Sequence, residues 1–209
     1  MSVNELWDRL ERWMVENTGR SLGLRAGATE NDITELEQKT GLALPSDLRG
    51  SLLAHDGQEV DETIAFSPCG GFYASVEDIG AKWSDDQDLA EEFPLSTSET
   101  QDGDRILDGV FSVKRLPIAG APYWDGDNTY LDFAPGPKGT PGQVIQLTSE
   151  CDFAVLASSF SEYLERLIRT LESGALVYNA EKEDLVPNGH EYWEENPGDW
   201  LARTWRSSS

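Results

Sequence analysis

The chain is poor in the residue types that most often carry metal, redox or nucleophilic chemistry. Its 209 residues include two cysteines and two histidines. Cys69 and Cys151 form neither a disulfide framework nor a zinc-binding pattern, and two reduced thiols are expected. The segment that starts at His190 resembles a zincin motif, but Glu194 stands where the second histidine must be. We therefore expect no metal and no cofactor.

Basic residues are also scarce. There are 16 of them against 39 acidic residues, which gives a net charge of -23. A field of this sign repels a phosphate backbone, so direct nucleic-acid binding is disfavoured. The same field attracts and steers a basic protein partner. The alternative, that the acidity only keeps the protein in solution, is left open.

Long apolar runs are missing too. The first residues, MSVNELWDRLERW, contain no apolar signal region, and no run approaches the roughly 18 apolar residues of a membrane span. We therefore expect a cytoplasmic protein without a membrane partner. The composition leaves the oligomeric state open.

What is present indicates a folded domain, since 38% of the residues are hydrophobic and seven are tryptophan. Five helix starts carry a capping residue or an opening proline: Ser2 with Glu5, Thr29 with Asp32, Pro45, Ser75, and Ser159 with Glu162. The helix after Ser75 is expected to be short.

Strand-forming segments lie between the helices and are separated by turn residues. They are Glu62 to Phe66, Gly71 to Ala74, Val110 to Ile118, Thr129 to Ala134, Gly142 to Thr148 and Phe153 to Ala157. Short turns favour an antiparallel meander. The predicted fold is α+β, with a sheet flanked by helices at the N- and C-terminal ends.

We predict one domain over residues 1–178 and an acidic C-terminal extension over residues 179–209. The extension has no period strong enough for a long helix. It contains Trp193, Trp200 and Trp205, and we expect these side chains to hold it against the domain.

The stretch WDGDNTYLD, from Trp124 to Asp132, holds three aspartates that could serve as metal ligands or catalytic carboxylates. Counted from Asp125 as a calcium loop, its sixth and twelfth residues are Tyr130 and Gly136, where an EF-hand needs glycine and glutamate. Asp127 and Asp132 are five apart, which puts them on opposite faces of a strand. A structural corner is therefore predicted, with Trp124, Asp125 and Asp127 as candidates for contact with a partner.

The strongest candidate for a partner-binding surface is the acidic stretch from Glu77 to Asp104, which has ten acids and one base. Its aromatic residues would anchor a basic partner while its charges steer it. The predicted contact residues are Trp83, Asp85, Asp86, Asp88, Glu91 and Glu92. An exposed, mobile loop is expected over STSETQDGD, at 96–104. A merely solvated acidic segment stays an open alternative.

No catalytic constellation is found in the sequence. His55 and Asp56 fit a helix end closed by Gly57, and Cys69 has no histidine base or positive surroundings. The sequence lacks a nucleophile elbow, a phosphate-binding loop and a dinucleotide-binding motif. We therefore expect no enzymatic activity.

Two ordered blocks resemble the SMI1/KNR4 family of the SUKH superfamily. In the block from Gly27 to Gln58 the matching residues are Gly41, Leu44, Pro45 and His55-Asp56-Gly57. The second block, Leu116 to Leu147, contains the Pro-Ile-Ala, Gly-Asp, Leu-Asp and Gly-Gln-Val-Ile elements, and SFSEYLERLIRTLESG resembles the closing helix. The resemblance covers roughly residues 29–174.

The resemblance implies an α+β fold with a twisted antiparallel sheet and a function in protein binding. Many bacterial members of the family are immunity proteins that neutralise a cognate toxin, often a nuclease. Our leading hypothesis is such an immunity protein, which binds a basic toxin and covers its active surface. The alternative is a regulatory or scaffold protein like the fungal members, which act in cell-wall synthesis and signalling.

Overall fold

A computed structural model of the chain describes residues 1–61, 63–69, 71–93, 99–100, 103–107, 109–148, 152–189 and 196–206, with the backbone alone at 99–100 and 206. The helices are α1 (Val3–Thr18), α2 (Glu30–Thr40), α3 (Ser46–Ala54), α4 (Val76–Glu92), α5 (Phe160–Glu172) and α6 (Pro197–Arg206). The strands are β1 (Phe72–Tyr73), β2 (Glu99–Thr100), β3 (Arg115–Gly120), β4 (Asn128–Asp132), β5 (Gln143–Leu147), β6 (Asp152–Ala157), β7 (Leu176–Asn179) and β8 (Asp184–Pro187).

Local capping decides where the helices begin, and all five predicted starts are confirmed. Capping boxes precede α1, α2 and α4, because the hydroxyls of Ser2, Thr29 and Ser75 each accept from a backbone N–H three residues on. The hydroxyl of Ser159 accepts from Glu162 in the same way. Pro45 lies directly before α3, where its missing N–H costs no hydrogen bond.

The main sheet has the strand order β1-β3-β4-β5-β6-β2. Its first five strands are antiparallel, and the two-residue β2 pairs parallel to β6. Helices flank the sheet, so the predicted α+β fold with an antiparallel sheet is confirmed.

Both faces of the sheet are covered. Leu116, Leu131 and Val144 face the main core, to which all six helices contribute. The opposite face holds a smaller core of Ile106, Val110, Tyr130, Ile145, Leu147, Phe153 and Val155. Residues of β4 alternate between the two cores, as the period of a strand requires.

Two strand predictions were wrong: the segment Glu62 to Phe66 forms no strand in its described residues, and another strand is shorter than predicted. Thr63 to Phe66 is irregular, although Ile64 and Phe66 are buried, and the strand predicted from Val110 starts only at Arg115. The segment before β3 covers the smaller core instead. Its carbonyls accept from the Arg115 guanidinium, at 2.7 Å from Leu107 O and 3.2 Å from Val110 O.

The C-terminal segment packs against the domain. Strands β7 and β8 form a hairpin, and the predicted boundary between residues 178 and 179 falls inside it. Trp200 and Trp205 of α6 are buried in the main core, and Trp205 Nε1 donates to Thr170 Oγ1 at 2.9 Å. The expectation that tryptophans hold this segment is confirmed for these two, while Trp193 lies outside the described residues.

Candidate partner-binding surface

The acidic stretch forms α4 from Glu77 to Glu92, and this helix is longer than the short helix predicted. One side of this helix faces inward. Trp83 is 6% exposed and Asp86 is 3% exposed, and Trp83 Nε1 donates to Val113 O at 3.1 Å. The prediction that Trp83 and Asp86 offer a contact surface is therefore wrong, because both side chains are buried where α4 packs against the sheet.

Asp86 fixes this inner side through a buried polar group. Lys82 Nζ donates to one of its carboxylate oxygens at 2.6 Å, and the Tyr130 hydroxyl donates to the other at 3.2 Å. Burial raises the pKa of Asp86, while the bonds from Lys82 and Tyr130 oppose that rise. Burial and the facing carboxylate likewise raise the pKa of Tyr130. Asp86 thus positions α4 and offers no contact to a partner.

The outer side of α4 is an exposed acidic face, hereafter the acidic face: Glu77, Asp85, Asp88, Glu91 and Glu92. Glu77, Asp85, Asp88 and Glu92 recur at spacings of 8, 3 and 4 residues, so they project from one side of the helix. Phe93 follows directly and is 49% exposed. Four of the predicted contact residues are therefore presented together to solvent.

A groove of about 460 Å³ lies between α2 and α4, beside the first turn of α4. Its lining combines four acids, one lysine, two apolar side chains and a glycine: Asp32, Glu35, Leu36, Lys39, Asp56, Val76, Glu77 and Gly80. Glu77 belongs to both the groove and the acidic face. The acidic surface thus continues from a helix face into a concave site, which sequence reasoning missed because α2 and α4 are distant in the chain.

The WDGDN stretch forms the turn between β3 and β4, as predicted. Trp124 adopts a left-handed backbone with φ 57°, its N–H donates to Ala121 O at 2.9 Å, and its side chain is half-buried. Asp125 is exposed. Tyr123, which was not predicted as a contact residue, is 87% exposed. The turn therefore presents Tyr123 and Asp125 to solvent.

Asp127 points inward, so its predicted role as a surface contact is wrong. It is 8% exposed and accepts from Gln146 Nε2 at 3.1 Å and from Asn196 Nδ2 at 2.6 Å. Asn196 Oδ1 in turn accepts from the N–H groups of Gly198 and Asp199, at 2.8 and 3.3 Å, in the first turn of α6. Asp127 therefore anchors the C-terminal helix. The signal that could have found this is Asn196-Pro197, a capping residue followed by a proline.

Two catalytic alternatives, a Cys69 nucleophile and a His55 base, gain no support in the parts of the chain that the structure describes. Burial and the nearby carboxylates of Asp127 and Asp184 raise the pKa of the Cys69 thiol, which disfavours a thiolate. His55 Nδ1 lies 3.2 Å from Arg25 O, at the end of α3.

No group of three potential metal ligands is found among the described residues. Cys151, the motif from His190 to Glu194, and most of STSETQDGD lie outside the described part of the chain.

The chain matches the model of the SMI1/KNR4 family (SUKH-1) over residues 27–166, about two thirds of its length. The chain belongs to this family. The residues that carried the resemblance have structural roles here, since Gly41 closes α2 in a left-handed conformation and His55 ends α3.

Fungal proteins are among the relatives of this SMI1/KNR4 chain. A glucan synthesis regulatory protein of Neurospora crassa is 29% identical over an alignment 220 residues long. The alignment covers 88% of the chain and 41% of the relative. The cell wall biosynthesis/cell cycle regulator smi1 of Schizosaccharomyces pombe is 29% identical over 199 residues, covering 88% and 39%. The cell wall assembly regulator SMI1 of Saccharomyces cerevisiae is 24% identical over 203 residues, covering 80% and 40%.

The chain thus spans about two fifths of the length of these curated relatives. Their names describe regulators rather than enzymes. In the described part of the chain, no helix is both long and apolar enough to cross a membrane.

Proposed function

We propose that this SMI1/KNR4 protein is a non-catalytic binding module that holds a basic protein partner against the acidic face of α4 and the adjoining groove. One observation carries the proposal. The last turn of α4 contains no basic residue, and Glu91 and Glu92 lie at the negative end of the helix dipole. Asp88 and Glu92 also repel each other, since they are four residues apart. Helix stability opposes this arrangement, whereas recognition of a cationic partner explains it.

Within this role, we favour a regulatory or scaffold function, and the fungal relatives are named as regulators. The supporting observation is the extent of the alignment. The Neurospora crassa and Schizosaccharomyces pombe relatives align to 88% of the chain, a larger share than the family model matches. A regulator of this kind binds several partners with modest affinity and releases them as salt concentration rises.

The second candidate is an immunity protein that neutralises a bacterial toxin. The net charge of -23 supports it, because a nuclease is basic on the surface that binds phosphates, and an acidic inhibitor covers such a surface. This function predicts one tight partner, encoded beside the gene for this chain, whose toxicity is abolished by co-expression. Absence of any such neighbour, or toxicity that persists on co-expression, contradicts it.

The common core of both functions is tested by affinity capture with a variant of the acidic face. The variant carries Asp85→Asn, Asp88→Asn, Glu91→Gln and Glu92→Gln. A matched control neutralises four exposed acids in other elements: Asp8, Glu16, Asp61 and Glu181. We expect the wild type and the control to retain the same basic partner, identified by mass spectrometry, and the α4 variant to lose it. Equal retention by both variants would show that the acidic face is not the binding surface.

A further inference from the structure

We propose that the groove between α2 and α4 receives one arginine or lysine side chain of the basic partner, and that Lys39 occupies this position in the unbound protein. The inference rests on the proposed function. It adds the chemical group that is recognised and an internal competitor that weakens recognition.

The position of Lys39 shows where a cation binds. Lys39 extends from α2 across the groove, and its Nζ donates to the carbonyl oxygen of Gly80 on α4 at 2.6 Å. The same oxygen accepts from Ser84 Oγ at 3.1 Å. The groove therefore already holds an ammonium group, supplied by the chain itself.

The lining favours more positive charge than Lys39 provides. Four carboxylates and one ammonium give it a net charge of -3. Two of the carboxylates are held in place by backbone donors, since Asp56 accepts from Val76 N at 2.7 Å and Asp32 accepts from Thr29 N at 2.8 Å. They keep lone pairs for further donors. Leu36 and Val76 provide an apolar wall, against which the methylene groups of an arginine or lysine pack.

Lys39 is suited to being displaced. Its side chain is exposed, and its partner is the neutral carbonyl of the buried Gly80, so displacement breaks one hydrogen bond that an incoming cation forms again. A guanidinium has five donors in a planar fork, so an incoming arginine bonds to the carbonyl and a carboxylate together. When Lys39 turns out into solvent, the positive charge of the partner takes the place of the Lys39 ammonium group in the groove.

The test measures binding of a fluorescein-labelled octa-arginine peptide to the full chain by fluorescence anisotropy at low ionic strength. Lys39→Gln removes both the occupant and its repulsion. Coulomb's law over about 6 Å in a water-like dielectric gives a roughly threefold tighter Kd. Lys138→Gln is the matched control, because Lys138 is also an exposed lysine, but it pairs with Asp104 and lies outside the groove. We expect the control to keep the wild-type Kd and Lys39→Arg to do the same.

The outcomes separate this inference from the proposed function. If Lys39→Gln and Lys138→Gln bind the peptide equally, the role assigned to Lys39 is wrong. If the variant of the acidic face described above also binds like the wild type, the proposed function fails with it. If Lys39 has a purely structural role, Lys39→Gln will have a lower Tm and an unchanged Kd for the peptide, and that result overturns the inference as well.

Discussion

The contact between Asn196 and Asp127 supports the clearest prediction about stability. Asn196→Ala removes the cap on the first turn of α6 and the bond from Nδ2 to the Asp127 carboxylate, together with a longer contact from Cys69 Sγ to Oδ1 at 3.6 Å. Loss of an N-cap costs about 1 kcal/mol, and loss of a hydrogen bond to a charged group costs about 1.5–3 kcal/mol. Gln146 still donates to Asp127 in the variant, so we expect a loss near the lower end, about 2–3 kcal/mol.

The assay is urea unfolding followed by tryptophan fluorescence, together with thermal unfolding. Trp200 and Trp205, two of the seven tryptophans of the chain, are buried in the helix that Asn196 caps, so part of the signal comes from the affected segment. For a chain of this size, about 1 kcal/mol corresponds to a shift in Tm of roughly 2–4 °C. The expected decrease is therefore roughly 4–12 °C.

Two further variants decide between the components. Asn196→Ser keeps an oxygen that caps the helix but loses the donor to Asp127, so it should destabilise less than Asn196→Ala. In a cycle with Asp127→Ala, we expect a coupling of about 1–2 kcal/mol. If the double variant loses the sum of the two single losses, Asp127 does not anchor the C-terminal helix and the reasoning is refuted. Asp125→Ala, an exposed change in the same turn, serves as the neutral control.

Other changes test the inner side of α4 and one glycine. Lys82→Met leaves the buried Asp86 carboxylate without its cation and should lower the free energy of unfolding by about 3 kcal/mol at neutral pH. Asp86→Asn should lower it by less than about 1 kcal/mol. Equal losses in urea titrations would contradict this expectation. Burial raises the pKa of Asp86, so the stabilisation linked to its proton is complete below the unfolded value of 3.8 and is lost as the pH rises through the folded pKa. The wild type should therefore lose stability relative to Asp86→Asn over that interval, and a constant difference would show that Asp86 does not titrate this way. Gly27→Ala places a Cβ 1.8 Å from Leu53 O and should cost about 2–4 kcal/mol in chemical unfolding, while Gly126→Ala, with its nearest contact at 3.5 Å, should cost little.

Helix starts could be predicted because capping is local. The hydroxyl of Ser75 and the backbone N–H it receives are three residues apart, so the sequence alone contains both partners. The length of α4 could not be predicted in the same way. Its inner face runs through Ile79 and Trp83 to Asp86, and an acid at the third position ends any apolar pattern. Only tertiary structure brings Tyr130 to that acid.

The same limit explains the missed groove and the missed anchor. The turn at WDGDN was predicted from Asp-Gly and Asp-Asn, but its inward role depends on Asn196, 69 residues away. The groove depends on the packing of α2 against α4, which no sequence period reports. Contacts of this kind depend on how the helices and strands pack together. The sequence therefore shows which side chains can bind or anchor, but not which of them come into contact.

The inner side of α4 packs against the sheet, whereas its outer side is proposed to bind a partner. This separation makes the proposed function testable. Its position is fixed from inside, by Trp83 against Val113 O and by Asp86 against Lys82 and Tyr130. The outer acids contribute nothing to that packing, and where they are spaced three or four apart they repel one another by about 0.2–0.5 kcal/mol per pair. Neutralising them should therefore leave the fold intact, or make it slightly more stable, while it weakens binding to a basic partner. A change that raises Tm and lowers affinity at the same time is what a surface kept for recognition predicts, since a surface kept for stability would lose both together.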